Sequence, residues 1–260
     1  MKTLTAVIPT KNCESDIARC LESIKWADEI VIIDGFSTDK TLDICRKYTD
    51  KIIQHKHQGE YYGIGEEERN IGTDNSGCDW ILQLDSDEVV TQELRKDIEK
   101  ILNNEKEPYQ AYKFRRMNFF LGHFMRWGGW YHYSLHFFKR GKARYEGNIH
   151  EALIVDGEIG KIEGGAEHYP FKSIDQFIKR HNSYSDREAK MILKNKGVLD
   201  EKTIIYNIKV KPKKLFWKFY VKKKGFLEGK YGFIFSVLFA FVHFLNWSKY
   251  WELTKRQKDA

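Results

Sequence analysis

Trp80-Ile81-Leu82-Gln83-Leu84-Asp85-Ser86-Asp87-Glu88 is a short apolar run that ends abruptly in acids. A run of this length bounded by polar residues reads as a buried strand, which puts Asp85 and Asp87 together at its carboxyl end. Two carboxylates so close are costly unless they are solvated, paired or bound to a cation. Hard divalent ions take oxygen ligands of this kind and also bind substrate phosphates. Taken alone, Asp-x-Asp is a common loop sequence, so its meaning depends on its surroundings.

Upstream, strands and helices alternate. Leu4–Ile8, Glu29–Ile33 and Lys51–Gln54 read as strands. Cys13–Ile24, with Ile17, Leu21 and Ile24 on one face, Thr38–Tyr48, with Leu42 and Cys45 inward, and Gly65–Thr73 read as helices. That order predicts parallel βαβ units, whose ligands collect at the carboxyl ends of the strands. Three further polar clusters lie at or beside such positions. Pro9-Thr10-Lys11-Asn12-Cys13-Glu14 leads into a helix whose first amides suit an anion. In Asp34-Gly35-Phe36-Ser37-Thr38-Asp39-Lys40-Thr41, Gly35 permits a close backbone approach, Asp34 can accept from a base imide N–H, and Ser37 or Thr38 can cap the next helix. Glu68-Arg69-Asn70 offers an arginine suited to a diphosphate oxygen. Each also has a plainer reading, as turn caps for the first two and as a solvated arginine for the third.

After about Pro108 the pattern turns to aromatic-rich strand-like runs, Ala111–Arg115 and Leu135–Lys139, followed by a helix from Ile174 to about Lys194 with Ser173 as N-cap. The last fifty residues interleave Lys209, Lys211, Lys213, Lys214, Lys218, Lys222, Lys223 and Lys224 with Phe216, Trp217, Phe219 and Tyr220. An apolar stretch, Tyr231–Trp247, follows. It falls short of the roughly 20 residues of a spanning helix, so an interfacial or re-entrant helix beside a basic collar is the expectation. A packed hairpin or an oligomer interface through the C-terminal helices is the alternative. The expected organisation is therefore one domain in two halves, residues 1–108 binding the donor and 109–208 the acceptor, followed by a basic and aromatic helical extension over residues 209–260.

With 260 residues, 42% hydrophobic and 31% charged, and 4 Pro, the chain is folded, not disordered or fibrous. Residues 1–108 hold 14 Lys+Arg against 23 Asp+Glu, and residues 109–260 hold 30 against 14. Such asymmetry points to an anionic partner for the second part. No nucleic-acid-binding motif accompanies it, so nucleic acid is not expected. Four cysteines without CxxC spacing suit free thiols in a reducing compartment. The short apolar start does not read as a secretory signal, and the expected location is cytoplasmic, peripheral on the inner face of the cytoplasmic membrane.

The ordered set Val7-Ile8-Pro9-Thr10-Lys11-Asn12, Ile33-Asp34-Gly35-Phe36-Ser37-Thr38-Asp39-Lys40-Thr41, Arg69-Asn70 and Leu84-Asp85-Ser86-Asp87-Glu88 resembles family 2 glycosyltransferases. The resemblance implies an α/β protein of GT-A fold, with a mixed, mostly parallel central sheet flanked by helices. It also implies inverting transfer from a nucleotide-diphosphate sugar. By that resemblance Pro9, Thr10, Asn12 and Glu14 line the nucleoside pocket, Asp34 binds the base, uracil being usual, and Arg69 approaches the diphosphate. Asp85 and Ser86 contribute to the nucleotide-sugar site, and Asp87, with Asp85, holds Mn²⁺ or Mg²⁺. The second part is similar to a bacterial subset that includes lipopolysaccharide-core β-1,4-glucosyltransferases, through Gly128-Gly129-Trp130-Tyr131, Asn148-Ile149-His150-Glu151-Ala152, His168-Tyr169-Pro170 and Gly225-Phe226-Leu227-Glu228-Gly229-Lys230-Tyr231-Gly232. His132 and His136 stand where that subset more often has Pro and Arg.

Inverting transfer is a single displacement at the anomeric carbon, needing a base for the acceptor hydroxyl and a Lewis acid for the leaving diphosphate. Glu151 is the candidate base and His168 a candidate third metal ligand. Trp127, Trp130, Tyr131 and His150 are acceptor or lid candidates, although aromatic residues are more often core. Lys113, Arg115, Arg116, Arg126, Lys139, Arg140, Lys142 and Arg144 either attract an acidic glycolipid acceptor or form a solvated face. The expected activity moves a hexose, glucose being first choice, from a UDP-sugar to a lipid-linked or lipopolysaccharide-core glycan, with residues 209–250 on an anionic membrane surface. Two alternatives stand beside it. A nucleotidyltransferase needs a Gly-rich basic loop after the first strand, which Thr10–Glu14 lacks. A non-catalytic glycan-binding or scaffold protein with a decayed site is opposed by the intact acidic pair and Arg69.

Overall fold

Every residue of β1 (Leu4–Thr10) is buried, as expected of a central strand covered on both faces. It lies in a parallel set with β2 (Glu29–Asp34), β3 (Ile52–Gln54) and β4 (Trp80–Gln83), ordered β3-β2-β1-β4. The register pairs Thr10 with Asp34, so the carboxyl ends of β1 and β2 are level. The computed structural model describes residues 1–56, 65–146 and 152–258. It divides into one unit of residues 1–117 and 132–168 and another of residues 118–131 and 169–260.

In the first unit the chain continues through β5 (Glu88–Val90), β6 (Ala111–Phe120), β8 (His132–Lys139), the hairpin β9 (Ala143–Glu146) with β10 (Ala152–Val155), and β11 (Ile159–Phe171). The sheet runs on from β4 through β8, β6 and β11 to β5, with the β4–β8, β6–β8 and β11–β5 pairs antiparallel. This is the mixed sheet the sequence predicts. Strand alternation sorts the core into two layers. Leu4, Ala6 and Ile8 of β1 join a cluster with α1 (Ile17–Ile24) and α4 (Gln92–Asn103), to which Cys45 of α2 (Thr41–Cys45) also belongs. Val7, Val31, Ile33 and Ile81 meet Ile71 of α3 (Glu66–Asp74) and Leu153 and Val155 of β10 on the other face. Burying each such side chain stabilises the fold by about 1.5–3 kcal/mol. The second helix is shorter than the expected Thr38–Tyr48, and Leu42 is only half-buried. Gly72 matters for position: a Cβ there would sit 2.2 Å from Val7 Cγ1. Its absence lets α3 lie close on β1.

The second unit contains the last residues of β6 and β11, β7 (His123–Phe124) and the helices α5 (Ile174–Lys196), α6 (Glu201–Ile205), α7 (Lys211–Trp217) and α8 (Gly229–Lys258). Ser173 caps α5 by accepting from the Gln176 amide, as its sequence predicts. The core is aromatic. Phe120, Met125, Phe171, Phe177 and Phe235 are buried, with Trp130 and Phe239 packed against them. A second cluster of Ala189, Ile204, Trp247 and Tyr250 lies along α5, α6 and α8. The segment Gly225–Lys255 is long and apolar enough to cross a membrane, by length and composition.

The two units divide within residues 109–208, at residues 117, 131 and 168. Residues 109–117 and 132–168 complete the sheet that begins with β1, because β8 pairs with β4 and β11 with β5. The first unit is therefore unfinished until residue 168.

Candidate active site

The turns after β1 and β2 hold each other through a dense lattice. Ser37 donates from its amide and hydroxyl to Asp34 Oδ2 and Oδ1 at 2.9 and 2.6 Å, and Thr10 Oγ1 and Gln54 Nε2 each donate to the same carboxylate at 3.3 Å. The Asn12 amide donates to Ser37 Oγ, and Asn12 Oδ1 accepts from the Thr38 amide at 2.8 Å. Glu14 and Asp39 close the set, Glu14 N donating to Asp39 and Lys40 N to Glu14. Asn12 and Phe36 take left-handed backbone, φ 48° and 58°, rare for an aromatic residue and a mark of strain that the lattice holds in place. Asp34 is thus placed differently from the sequence expectation. It is fully buried and both its oxygens are taken by protein donors, so in this structure it sets the turn instead of facing a base. Pro9 and Thr10 are buried as well, while Asn12 and Glu14 remain exposed.

The end of β4 is built from charges. α3 presents Arg69, whose Nη2 meets Asp85 Oδ1, and β6 presents Arg116, whose Nη2 meets Asp85 Oδ2. The Arg116 Nε also lies 2.7 Å from Glu88 Oε1, an ion pair without hydrogen-bond alignment. Glu88 Oε2 in turn accepts from the Asp85 amide at 2.9 Å, fixing the acidic turn. The β11–β5 register sets His168 opposite Glu88. There His168 Nε2 lies 3.5 Å from Asp87 Oδ1 and 3.1 Å from Arg116 Nη2. Asp85, Asp87 and His168 each offer a ligand atom within 4.8 Å of the others. Two carboxylates and an imidazole make a donor set that could hold a divalent cation.

These charges govern one another. Burial opposes ionisation of Asp85, but the Arg69 and Arg116 guanidinium groups hold its carboxyl well below the usual carboxylate range. Glu88 goes the other way. Burial, with the neighbouring acids Asp85 and Asp87, raises it to about 7 against the pull of Arg116. His136 stands beside the same cluster, its Nδ1 3.1 Å from Tyr145 OH. Burial and the Arg69 charge push it down to about 3, so its ring is neutral.

The acceptor and lid candidates separate. Trp130 is partly buried and packs against the aromatic core, stacked on Phe171 with ring centroids 6.1 Å apart and 5.0 Å from Phe235. That packing holds the ring in a fixed orientation beside the aromatic cluster. Tyr131 packs edge-on against Phe124. Trp127 is the exposed member, with the Lys224 ammonium over its ring. The lid expectation also changes, because the loop is tied down. The Trp127 amide donates to Glu228 at 2.6 Å, the Gly128 amide to the Lys223 carbonyl, and His123 meets Glu228 at 2.7 Å. Glu151 and His150 lie outside the described residues.

Sequence reasoning missed Arg116, Glu88, His136 and Tyr145 as members of the cluster. A signal for Arg116 exists. Tyr112, Phe114 and Arg116 share one face of β6, and Tyr112 and Phe114 are core, so an arginine on that face must find a partner inside.

The glycosyl transferase family 2 model matches residues 5–160, the stretch that carries every sequence cluster around these turns. The chain is a family 2 glycosyltransferase. Its GT-A sheet places the acidic turn at the carboxyl end of β4. This glycosyltransferase is 28% identical to an uncharacterized glycosyltransferase of Rickettsia typhi over 100% of its length and 90% of the relative's. It is 24% identical to the lipopolysaccharide core biosynthesis glycosyltransferase LpsC of Rhizobium meliloti, over 96% of this chain and 92% of that one. Among solved structures, S. aureus TarS 1–349 aligns with 98% of this chain and 92% of its own, at 15% identity and a TM-score of 0.48.

Proposed function

We propose that this enzyme transfers a hexose, glucose being first choice, from a UDP-sugar to a lipid-linked or lipopolysaccharide-core glycan, with inversion and with a divalent cation. The observation that carries this is the cluster of Asp85, Asp87 and His168, whose ligand atoms lie within 4.8 Å of one another beside Arg69 and Arg116. Likeness to LpsC along almost the whole chain supports the choice of acceptor class.

Asp87, Asp85 and His168 would hold the cation. When bound, it neutralises charge on the departing diphosphate. Arg69 and Arg116 supply guanidinium donors to the same oxygens, in the forked geometry that phosphates accept. The lattice at Asp34, Ser37, Thr38 and Asn12 holds the turns that flank the nucleoside, and Phe36, strained and half exposed, offers it an apolar face. Glu151 accepts the proton of the acceptor hydroxyl as that oxygen attacks the anomeric carbon from the side opposite the diphosphate. An ordinary carboxylate pKa suffices, because the proton leaves late, once the oxygen has begun to bond. The basic aromatic segment 209–250 rests on an anionic membrane surface at the cytoplasmic face.

Calorimetry with UDP tests the donor site. Binding is expected with Mn²⁺ or Mg²⁺, reduced by chelator and lost in Asp87→Ala. Equal binding in chelator and in the variant would overturn the cation assignment.

A further inference from the structure

We infer that Arg116 stands in for the cation while the donor is absent and passes to the donor's diphosphate when the cation arrives, so that cation and nucleotide are admitted together. The inference rests on the UDP-sugar reading above and assigns Arg116 a role in gating that site.

The decisive geometry is at one nitrogen. Arg116 Nη2 touches both Asp85 Oδ2 and His168 Nε2, on two of the three residues that offer ligand atoms for a cation. A guanidinium only donates, so its N–H faces the carboxylate lone pair and the imidazole lone pair that a metal would use. The other Asp85 oxygen is taken by Arg69. A divalent cation entering alone must therefore displace a positive group and leave it beside a second positive charge.

Arriving with a diphosphate, it meets a different balance. The released arginine finds acceptor oxygens that match its fork, and the added negative charge offsets the cation. Arg116 is also equipped to move. Its Nε lies 2.7 Å from Glu88 Oε1 without an aligned hydrogen bond, so that buried donor is only partly satisfied. Arg69 meets one of the three ligand-offering residues, Asp85, whereas Arg116 meets two, Asp85 and His168, which makes Arg116 the gate.

Linkage gives the test its shape. If cation and nucleotide each tighten the other, they do so by the same factor. Titrate Mn²⁺ by the loss of its free-ion electron paramagnetic resonance signal, with and without saturating UDP, and titrate UDP by calorimetry with and without saturating Mn²⁺. Use wild type, Arg116→Gln and Arg116→Lys. In wild type the coupling should fall in the range of roughly 5- to 150-fold. Arg116→Gln should bind Mn²⁺ more tightly than wild type without UDP, and UDP more weakly with Mn²⁺, so the coupling collapses. Arg116→Lys keeps the charge opposite Glu88 and guards against a folding failure. It should show nearly wild-type Mn²⁺ binding alone but weakened UDP binding, because the fork is lost. Unchanged or weaker Mn²⁺ binding in folded Arg116→Gln overturns the inference and leaves the donor site standing. So does wild-type UDP binding in Arg116→Lys. Wild-type protein that binds no UDP with any cation overturns the donor reading, and this inference with it.

Discussion

The two units dispose of their charges in opposite ways. The first draws Asp85, Glu88, Arg69 and Arg116 into the mouth of its sheet, where each is partly or wholly out of water and held by another. The second leaves Lys213, Lys214, Lys218, Lys222 and Lys224 exposed and fills its interior with rings. Buried charge is weak evidence for stability, because desolvation consumes most of what the pairing returns. Buried aromatic surface is strong evidence for it. The comparison therefore assigns chemistry to the first unit's polar centre and folding energy to the second unit's apolar one.

The largest effect should come from breaking the chemistry. Glu151→Gln is expected to lower the transfer rate by on the order of 10²- to 10⁴-fold, the usual worth of a general base. Asp87→Ala should lower it on the order of 10²- to 10³-fold. Both are read from UDP release with a supplied acceptor, alongside circular dichroism melts that should shift little. A melt that collapses in Asp87→Ala would place that residue with the folding energy and undo the contrast.

The converse experiment is on tryptophans. Trp130→Ala removes a ring from the Phe120, Phe171 and Phe235 cluster and should cost about 3–5 kcal/mol in urea denaturation. Trp127→Ala, at a ring that is 38% exposed, should stay within about 0.5 kcal/mol. Equal costs would mean that exposure misjudges where the second unit stores its stability.

A smaller effect follows from Glu88, whose carboxyl is raised from 4.5 to about 7. A carboxyl raised on folding keeps its proton longer in the native state than in the unfolded chain. Its contribution is full below pH 4.5 and is lost as pH rises toward 7. Glu88→Gln should therefore flatten the fall in stability across that window by on the order of 2 kcal/mol, measured as urea midpoints of donor-free protein in chelator. Asp85 acts in the opposite direction at lower pH, because its carboxyl is depressed by Arg69 and Arg116. A wild-type profile that rises from pH 4.5 to 7, with Glu88→Gln parallel to it, would show Glu88 ionised throughout.

Much of this contrast was legible before any coordinates. Strand periodicity and the clusters at Thr10, Asp34, Arg69 and Asp85 gave the parallel core and its acidic end, because each is local in sequence and follows from side-chain alternation and turn chemistry. What was not legible depends on pairing at long range. The β11–β5 register alone decides that His168 meets Asp87, across 80 residues of chain. By charge counting Arg116 is one of many basic residues, because such counting ignores the face of β6 on which each falls. Asp34 shows the reverse error. Its position was right, but sequence cannot tell a carboxylate that faces a ligand from one whose oxygens are already taken by Ser37, Thr10 and Gln54.

The smallest predicted effect bears on the outside of the second unit. Phe233, Val237, Phe241 and Phe244 are all exposed on α8, at intervals of four, four and three residues, which is one face of a helix. Trp217, Phe226 and Leu227 are exposed near the lysines of the preceding turns. On the membrane-surface reading proposed above, an anionic lipid surface would take the rings into its interface and the ammonium groups at its headgroups. Each lysine near such a surface contributes about 1 kcal/mol, so Lys213→Gln and Lys222→Gln should each weaken binding to vesicles containing anionic lipid by about fivefold. Neither should alter binding to neutral vesicles, and added salt should erase the difference, because the attraction decays over a Debye length of about 10 Å at 0.1 M. Phe241→Ser should instead weaken binding to both kinds of vesicle and survive added salt, since its share is apolar. If the lysine variants bind as wild type while Phe241→Ser changes the sedimentation mass, the stripe faces a second copy of the chain, and the exposed charge of this unit is ordinary solvated surface.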